Sequence, residues 1–312
     1  MKIKVIVNPK SGRRVAQKHL EIIIGRMLME GLATDIHVAT TNATGDAQKA
    51  AQALEGCSYD LIIGCGGDGT INEIIHGMMT ANIHIPLAIL AAGTSNDFAY
   101  SMNLPNEPED FCRMVKDSLY QDIDIGRANE HYFINVASFG MFTNVAHSTE
   151  QNVKGVLGML AYYLKGVSIV PEQLMKNIPL IVDSPDYQGD GDFYLCIVSN
   201  SMSVGGMRRL MSKASTSDGK LDVLLMKKPN PRQTLTDMFN SLSLGELPLN
   251  KDPMLKYFQT DHICFNSSIN EEVELDLDGE MCGYLPLTVS VCPKAVKLLI
   301  PKQTSLLAPW QD

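Results

Sequence analysis

Tryptophan is almost missing from this sequence of 312 residues, and aromatic residues make up only 6% of it. The single tryptophan, Trp310, lies in a polar-ended tail, where packing of the terminus is its expected use. Positive charge is also short: 26 Lys and Arg against 35 Asp and Glu leave a formal charge of −9. That balance makes the chain a poor candidate for nonspecific nucleic-acid binding or general attraction to anionic lipid, so any membrane contact is expected from a local patch. The seven cysteines (Cys57, Cys65, Cys112, Cys196, Cys264, Cys282 and Cys292) are odd in number, and no pair has CxxC spacing. Neither a disulfide framework nor a thiolate zinc site is indicated. Several sit in apolar strand-like runs, as buried free thiols do, which suits a reducing cytosol. The seven histidines have no metal-ligand spacing. No run approaches the roughly 18 apolar residues of a spanning helix. Val156–Val170 comes nearest and is broken by Lys165. A secretory signal is not expected either, because Lys4 interrupts the first apolar run and Asn8-Pro9 ends it. Internal repeats and low-complexity segments are lacking as well.

What is present suits a folded protein: 45% hydrophobic and 20% charged residues. The length exceeds a single core, so two domains are expected. The first part alternates strand and helix signals. Ile3–Val7, Thr34–Ala39, Asp60–Ile63 and Leu87–Leu90 read as strands. Val15–Glu30 carries Ala16, Leu20, Ile23 and Met27 at helical spacing and stops at Gly31. Asp46–Leu54, Thr70–Met79, Ser95–Ser101 and Glu109–Leu119 also read as helices. Such alternation implies an α/β fold with a doubly wound, mostly parallel sheet, whose ligands bind at the carboxyl ends of the strands.

From about Asp122 the pattern changes. Tyr132–Val136, Phe193–Ser199, Leu221–Met226, His262–Phe265, Val273–Leu277 and Leu287–Val291 are β-like, interrupted by helical stretches near Gln151–Lys165 and Pro231–Leu244. A second, mainly antiparallel β domain is expected. Asp183–Gly191 and Leu247–Pro253 read as Pro-, Asp- and Gly-rich loops. Val296–Ile300 is one more strand, a candidate to return to the first domain. The expected division is 1–125, completed by 296–312, and 126–295.

The strongest local signal is Gly64-Cys65-Gly66-Gly67-Asp68-Gly69-Thr70, between an apolar strand and the helix that opens with Ile71-Asn72-Glu73. Glycines let backbone approach a ligand, and their N–H groups with the helix N-terminus form an anion cradle. Thr70 is placed to cap that helix or to bind a phosphate oxygen. Asp68 beside the cradle suits a magnesium partner or proton acceptor. Asn8-Pro9-Lys10-Ser11-Gly12 follows the first strand, with Lys10, Arg13 and Arg14 adding positive charge. An ordinary capped turn explains that motif equally well. Thr41 through Gly45-Asp46 follows the second strand, and Gly93-Thr94-Ser95-Asn96-Asp97 follows the fourth. Four polar loops on one rim argue for a single nucleotide site better than any one of them. In the second domain, Ser215–Asp222 enters a strand and Asp276-Leu277-Asp278-Gly279-Glu280 leaves one. Asp-Gly pairs are common hairpin turns. Asp276 and Asp278 alternate with leucines and are expected on one face. A transferase acting on an alcohol needs a carboxylate near the attacking hydroxyl and magnesium at the phosphates, and these turns are candidates for both.

These residues together resemble the diacylglycerol kinase catalytic-domain family, which includes sphingosine kinases and soluble bacterial lipid kinases. The motifs are Asn8–Gly12, Thr41–Ala47, Gly66–Glu73, Gly93–Ala99, Ser217–Val223 and Asp276–Glu280, in that order over nearly the whole chain. The resemblance implies ATP on the first domain, touching Asn8–Gly12, Thr41, Gly66–Asn72 and Thr94, with lipid presented from the second. It implies magnesium at Asp218 with the carbonyls of Ser215 and Lys220. It gives Glu280 as the proton acceptor and Asp68 as the rival base, with Asp97 and Asp124 in the acidic network. Ser217 stands where many relatives have an acidic residue, and Ser138–Phe142 is a looser glycine-rich segment. The implied activity is phosphoryl transfer from MgATP to a lipid hydroxyl by a cytoplasmic enzyme at the inner face of the membrane, with a homodimer suggested. NAD kinase, which shares the Gly-Gly-Asp-Gly-Thr motif, and a noncatalytic lipid- or nucleotide-binding module are the alternatives.

Overall fold

The computed structural model describes residues 1–12, 14–140, 177–208, 210–227, 255–267 and 272–302. The helical stretches read at Gln151–Lys165 and Pro231–Leu244, the loop at Leu247–Pro253, Arg13 and Trp310 lie outside them. The chain forms two compact units, one of Met1–Ile123 with Lys294–Asp312 and one of Asp124–Pro293.

The first unit is built on parallel strands β1 (Lys2–Val7), β2 (Asp35–Thr40), β3 (Leu61–Gly66) and β4 (Leu87–Ala91). Their order is β4-β3-β1-β2, and the end of β15 (Leu287–Ile300) lies parallel to β4 through the pair Leu298 and Leu87. Every residue of β3 is buried, the mark of a strand covered on both faces. Ile62 and Ile63 are wholly inaccessible, and such burial contributes about 1.5–3 kcal/mol for each side chain. β2 is the edge and is half solvated. Helices α1 (Arg14–Met29), α2 (Asp46–Gln52), α3 (Asp68–Thr80), α4 (Asp97–Ser101) and α5 (Pro108–Asp117) fill the connections. α1 buries Leu20, Ile23 and Met27, at the i, i+3, i+7 spacing of one helical face. α2 packs on α3 at Gly77, where a Cβ would stand 2.9 Å from that of Ala51.

The second unit is antiparallel, in the order β14 (Glu280–Tyr284), β13 (Glu274–Leu277), β7 (Val136–Gly140), β9 (Tyr187–Ser199), β8 (Ile178–Ser184), β12 (His262–Ser267) and the first part of β15. β10 (Leu221–Lys227) pairs with β9, and β11 (Leu255–Thr260) pairs with β10. β5 (Leu119–Ala128) pairs with β6 (His131–Phe133) near its end. Inward alternation along these strands makes one core, with Phe139, Cys196, Val198, Val223, Leu277 and Val289 among its members. At its centre Phe139 meets Phe265 edge to face, with ring centroids 5.0 Å apart.

Asp183–Gly191 is not a loop. β8 and β9 form a hairpin whose last pair is Ser184 with Tyr187, so only Pro185 and Asp186 turn. The outward residues of this hairpin are solvated, so aspartate, glutamine and glycine lie within strands. The strands read as Leu287–Val291 and Val296–Ile300 are the two ends of β15.

Candidate functional site

In the first unit β1, β2, β3 and β4 run in one direction, so the loops after them share one rim. Hydrogen bonds lace these loops together. Asn8 N–H donates to the Cys65 carbonyl at 2.9 Å, and Asn8 Nδ2 donates to Thr70 Oγ1 at 3.1 Å. Lys10 Nζ donates to the Asn42 carbonyl at 2.9 Å. Gly45 and Ala47 N–H donate to the Glu73 carboxylate at 2.8 and 3.1 Å. Asp97 and Phe98 N–H both donate to the Asp68 carboxylate at 3.2 Å. Thr41 is buried and Thr94 is exposed at this rim.

The helix behind the glycine cluster begins two residues earlier than its sequence suggests. α3 starts at Asp68, with Gly67 in the capping position and no side chain capping it. Its first N–H groups have no intrahelical acceptor by construction, and the helix dipole adds positive potential. Thr70 therefore does not cap; it lies in the first turn and receives Asn8. Gly64 is not part of the cradle either. It lies in β3, where a Cβ would stand 2.9 and 3.0 Å from the Cδ1 atoms of Ile74 and Ile71, so it is glycine for helix packing. Gly67 and Gly93 are the pair that needs close backbone approach, since a Cβ on Gly93 would stand 2.5 Å from Gly67 Cα. Asn72 contributes a buried Oδ1 with no hydrogen-bond partner, an acceptor at the same helix end.

In the second unit the Ser215–Lys220 turn leads into β10. Asp218 is exposed, and its Oδ1 accepts the Lys220 N–H at 3.0 Å. Gly219 takes φ +74, and its N–H donates to Asp124 Oδ2 at 2.7 Å. Asp124 N–H donates to the Thr216 carbonyl at 2.7 Å, so this buried aspartate grips the turn on both sides. One carboxylate beside backbone oxygens is a hard-oxygen donor set, and magnesium, which keeps several waters, accepts such a set. Among the described residues no group of three or more His, Cys, Asp and Glu is gathered for a metal, so waters would supply the other ligands.

Glu280 opens β14 with an exposed carboxylate that makes no hydrogen bond among the described residues. Asp278 differs. Its carboxylate accepts the N–H groups of Ile134, Asn135 and Val136 at 2.8, 2.9 and 2.8 Å. With its oxygens bound to three amides it is a clamp on the start of β7. The expected common face of Asp276 and Asp278 also fails. Asp278 and Gly279 take φ +51 and +90 in a two-residue hairpin turn, so strand alternation ends at Leu277.

Sequence reasoning missed Asp222 as a separate feature. It is wholly buried in β10, and burial above all pushes its carboxyl up to about 6. The Tyr257 hydroxyl donates to it. Its signal was an acid in the otherwise apolar run Leu221–Met226. Asn200 was also missed. Its Nδ2 donates to the Asp124 and Ile134 carbonyls at 2.8 and 3.1 Å, while its buried Oδ1 has no partner.

Residues 2–128 match the family described as diacylglycerol kinase catalytic domain, and residues 135–300 match the one described as YegS C-terminal NAD kinase beta sandwich-like domain. A diacylglycerol kinase of Bacillus subtilis (strain 168) is 32% identical over 303 residues, covering 96% of each chain. One from Staphylococcus haemolyticus (strain JCSC1435) is 30% identical over 299 residues, covering 96% of this chain and 88% of the relative. A diacylglycerol kinase structure from Bacillus anthracis str. Sterne superposes with a TM-score of 0.75 at 22% identity, covering 96% of each chain. A candidate diacylglycerol kinase from the same strain superposes with a TM-score of 0.82 at 24% identity and the same coverage. At those identities the superpositions show the shared two-domain α/β fold. No described helix is long and apolar enough to cross a membrane.

Proposed function

Since this chain belongs to the diacylglycerol kinase family and is a lipid kinase, we propose that it transfers the γ-phosphoryl group of ATP to a lipid hydroxyl, that of diacylglycerol, giving phosphatidic acid. The observation that carries the nucleotide half is the uncapped α3 N-terminus in the middle of four laced loops. Backbone amides there bind phosphate oxygens without a competing side chain. Asn8, Pro9, Lys10, Ser11 and Gly12 flank the phosphates, with Thr41, Gly66, Gly67, Gly69, Thr70, Ile71, Asn72 and Thr94 completing the rim. Asp68 holds the α4 loop in place.

Ser215, Asp218 and Lys220 supply the magnesium turn. Magnesium held there would supply positive charge of the kind that phosphoryl transfer needs. Glu280 takes the proton of the acceptor hydroxyl. Its carboxylate has no internal donors, whereas those of Asp68 and Asp278 hold backbone amides. A diacylglycerol acceptor resides in a bilayer, so the proposal includes peripheral membrane contact.

The test is incubation of the purified chain with magnesium, γ-labelled ATP and fractionated lipid extract. Label is expected in phosphatidic acid. Glu280→Ala is expected to lower kcat by about a hundredfold or more, the usual share of a general base. Full activity in that variant removes Glu280 as the base. Label on NAD when NAD replaces the lipid in a parallel reaction, or nucleotide binding without turnover on any lipid, removes the whole reading.

A further inference from the structure

The turn assigned above to magnesium is held by a side chain as well as by Asp124. The register of β10 and β11 sets Gln259 directly opposite Asp222. Gln259 Nε2 lies 3.4 and 3.3 Å from the two Asp222 oxygens and 3.5 Å from Asp218 Oδ2. The contacts are long because one amide nitrogen with two hydrogens serves three oxygens. The amide cannot be turned over, since its own oxygen would then face carboxylates. Asp222 fixes the amide, and the Tyr257 hydroxyl fixes Asp222 from the same strand as Gln259. Asp218 Oδ1 already accepts from Lys220 N–H, so both its oxygens meet N–H donors although the side chain is exposed.

An exposed aspartate on a glycine turn otherwise samples several rotamers, and ordering it on binding costs conformational entropy. A neutral amide orients the carboxylate without competing with a cation, as a lysine in its place would. We propose that Gln259, anchored on Asp222 and Tyr257, is a positioning residue for the Asp218 carboxylate and thereby sets the cation affinity of the Ser215–Lys220 turn. This rests on the magnesium reading of that turn.

The experiment is calorimetric titration of the full, nucleotide-free chain with magnesium chloride, for wild type, Asp218→Asn, Gln259→Met and Tyr257→Phe. Thermal unfolding of each in EDTA runs alongside. Asp218→Asn is expected to abolish the isotherm. Gln259→Met is expected to weaken affinity about tenfold or more, the range for outer partners of metal ligands, with its unfolding midpoint in EDTA near that of wild type. Tyr257→Phe, which keeps the ring, is expected to weaken it in the same direction by less. Wild-type affinity in Gln259→Met while Asp218→Asn loses binding overturns the positioning role and leaves the magnesium reading standing. No binding by wild type, or unchanged binding by Asp218→Asn, removes the magnesium reading and this inference with it. Affinity that falls only together with the EDTA midpoint overturns positioning in favour of a plain structural role. If Gln259→Met fails to fold, Tyr257→Phe decides, and unchanged affinity there overturns the proposal.

Discussion

Replacing Asp278 by alanine strands three backbone N–H groups at the start of β7. Hydrogen bonds to a charged acceptor are each worth about 1.5–3 kcal/mol. Asp278→Ala is therefore expected to lose about 3 kcal/mol or more of stability, read as a lower urea midpoint, while the folded fraction keeps near-normal kcat. Glu280→Ala is expected to show the converse: ordinary stability and a collapsed kcat. A kcat loss in folded Asp278→Ala comparable to that of Glu280→Ala would place Asp278 in the chemistry. Both acids were visible in the sequence, but their different positions were not. Alternation assigns faces only while the backbone stays extended, and the left-handed φ at Asp278 ends it.

Glycines are the clearest case at the scale of elements. Gly25 lies in α1 with open space where its Cβ would be, whereas Gly93 would press a Cβ on Gly67 backbone, which cannot swing aside. Gly25→Ala is expected to gain about 1 kcal/mol from helix propensity. Gly93→Ala is expected to part the loops and raise KM for ATP about tenfold or more, as ångström displacements at reacting sites do. Equal ATP KM in the two variants would mean that the approach of Gly67 and Gly93 has no bearing on the nucleotide. The glycine run between β3 and α3 reads as a loop in sequence because glycine signals turns. Gly64 and Gly66 nevertheless belong to the strand, since the underside of α3 leaves no room there for side chains. The β8–β9 hairpin was illegible for the opposite reason: its solvated half carries the polar residues and glycines that turns also use.

For the whole molecule, the change from strand–helix alternation to β runs was enough to give the two-domain α/β class, because apolar periodicity reports which faces are buried. Cross-strand partners such as Asp222 with Gln259 were not legible, since register over long separations leaves no local trace. Asp222 also shapes global stability. Its carboxyl titrates at about 6 in the fold, raised chiefly by burial, against an ordinary value of 3.8. The folded state thus binds this proton more tightly than the unfolded one. The stabilisation is complete below about pH 4 and is lost as pH rises through 6. Urea unfolding in EDTA should show Asp222→Asn gaining on wild type between pH 4 and pH 7, by on the order of 2–3 kcal/mol. A difference that is flat, or that favours wild type with rising pH, would show that Asp222 is not the acid responsible.

β15 delivers its last residues to β4, with Leu298 and Leu299 fully buried. As the nascent chain leaves the ribosome, one flank of β4 therefore stays open until the residues around Leu298 have been made. An open flank of that kind recruits stray strands. A fragment ending near residue 123 is expected to leave that flank exposed, so the return of β15 is what closes this half-sheet.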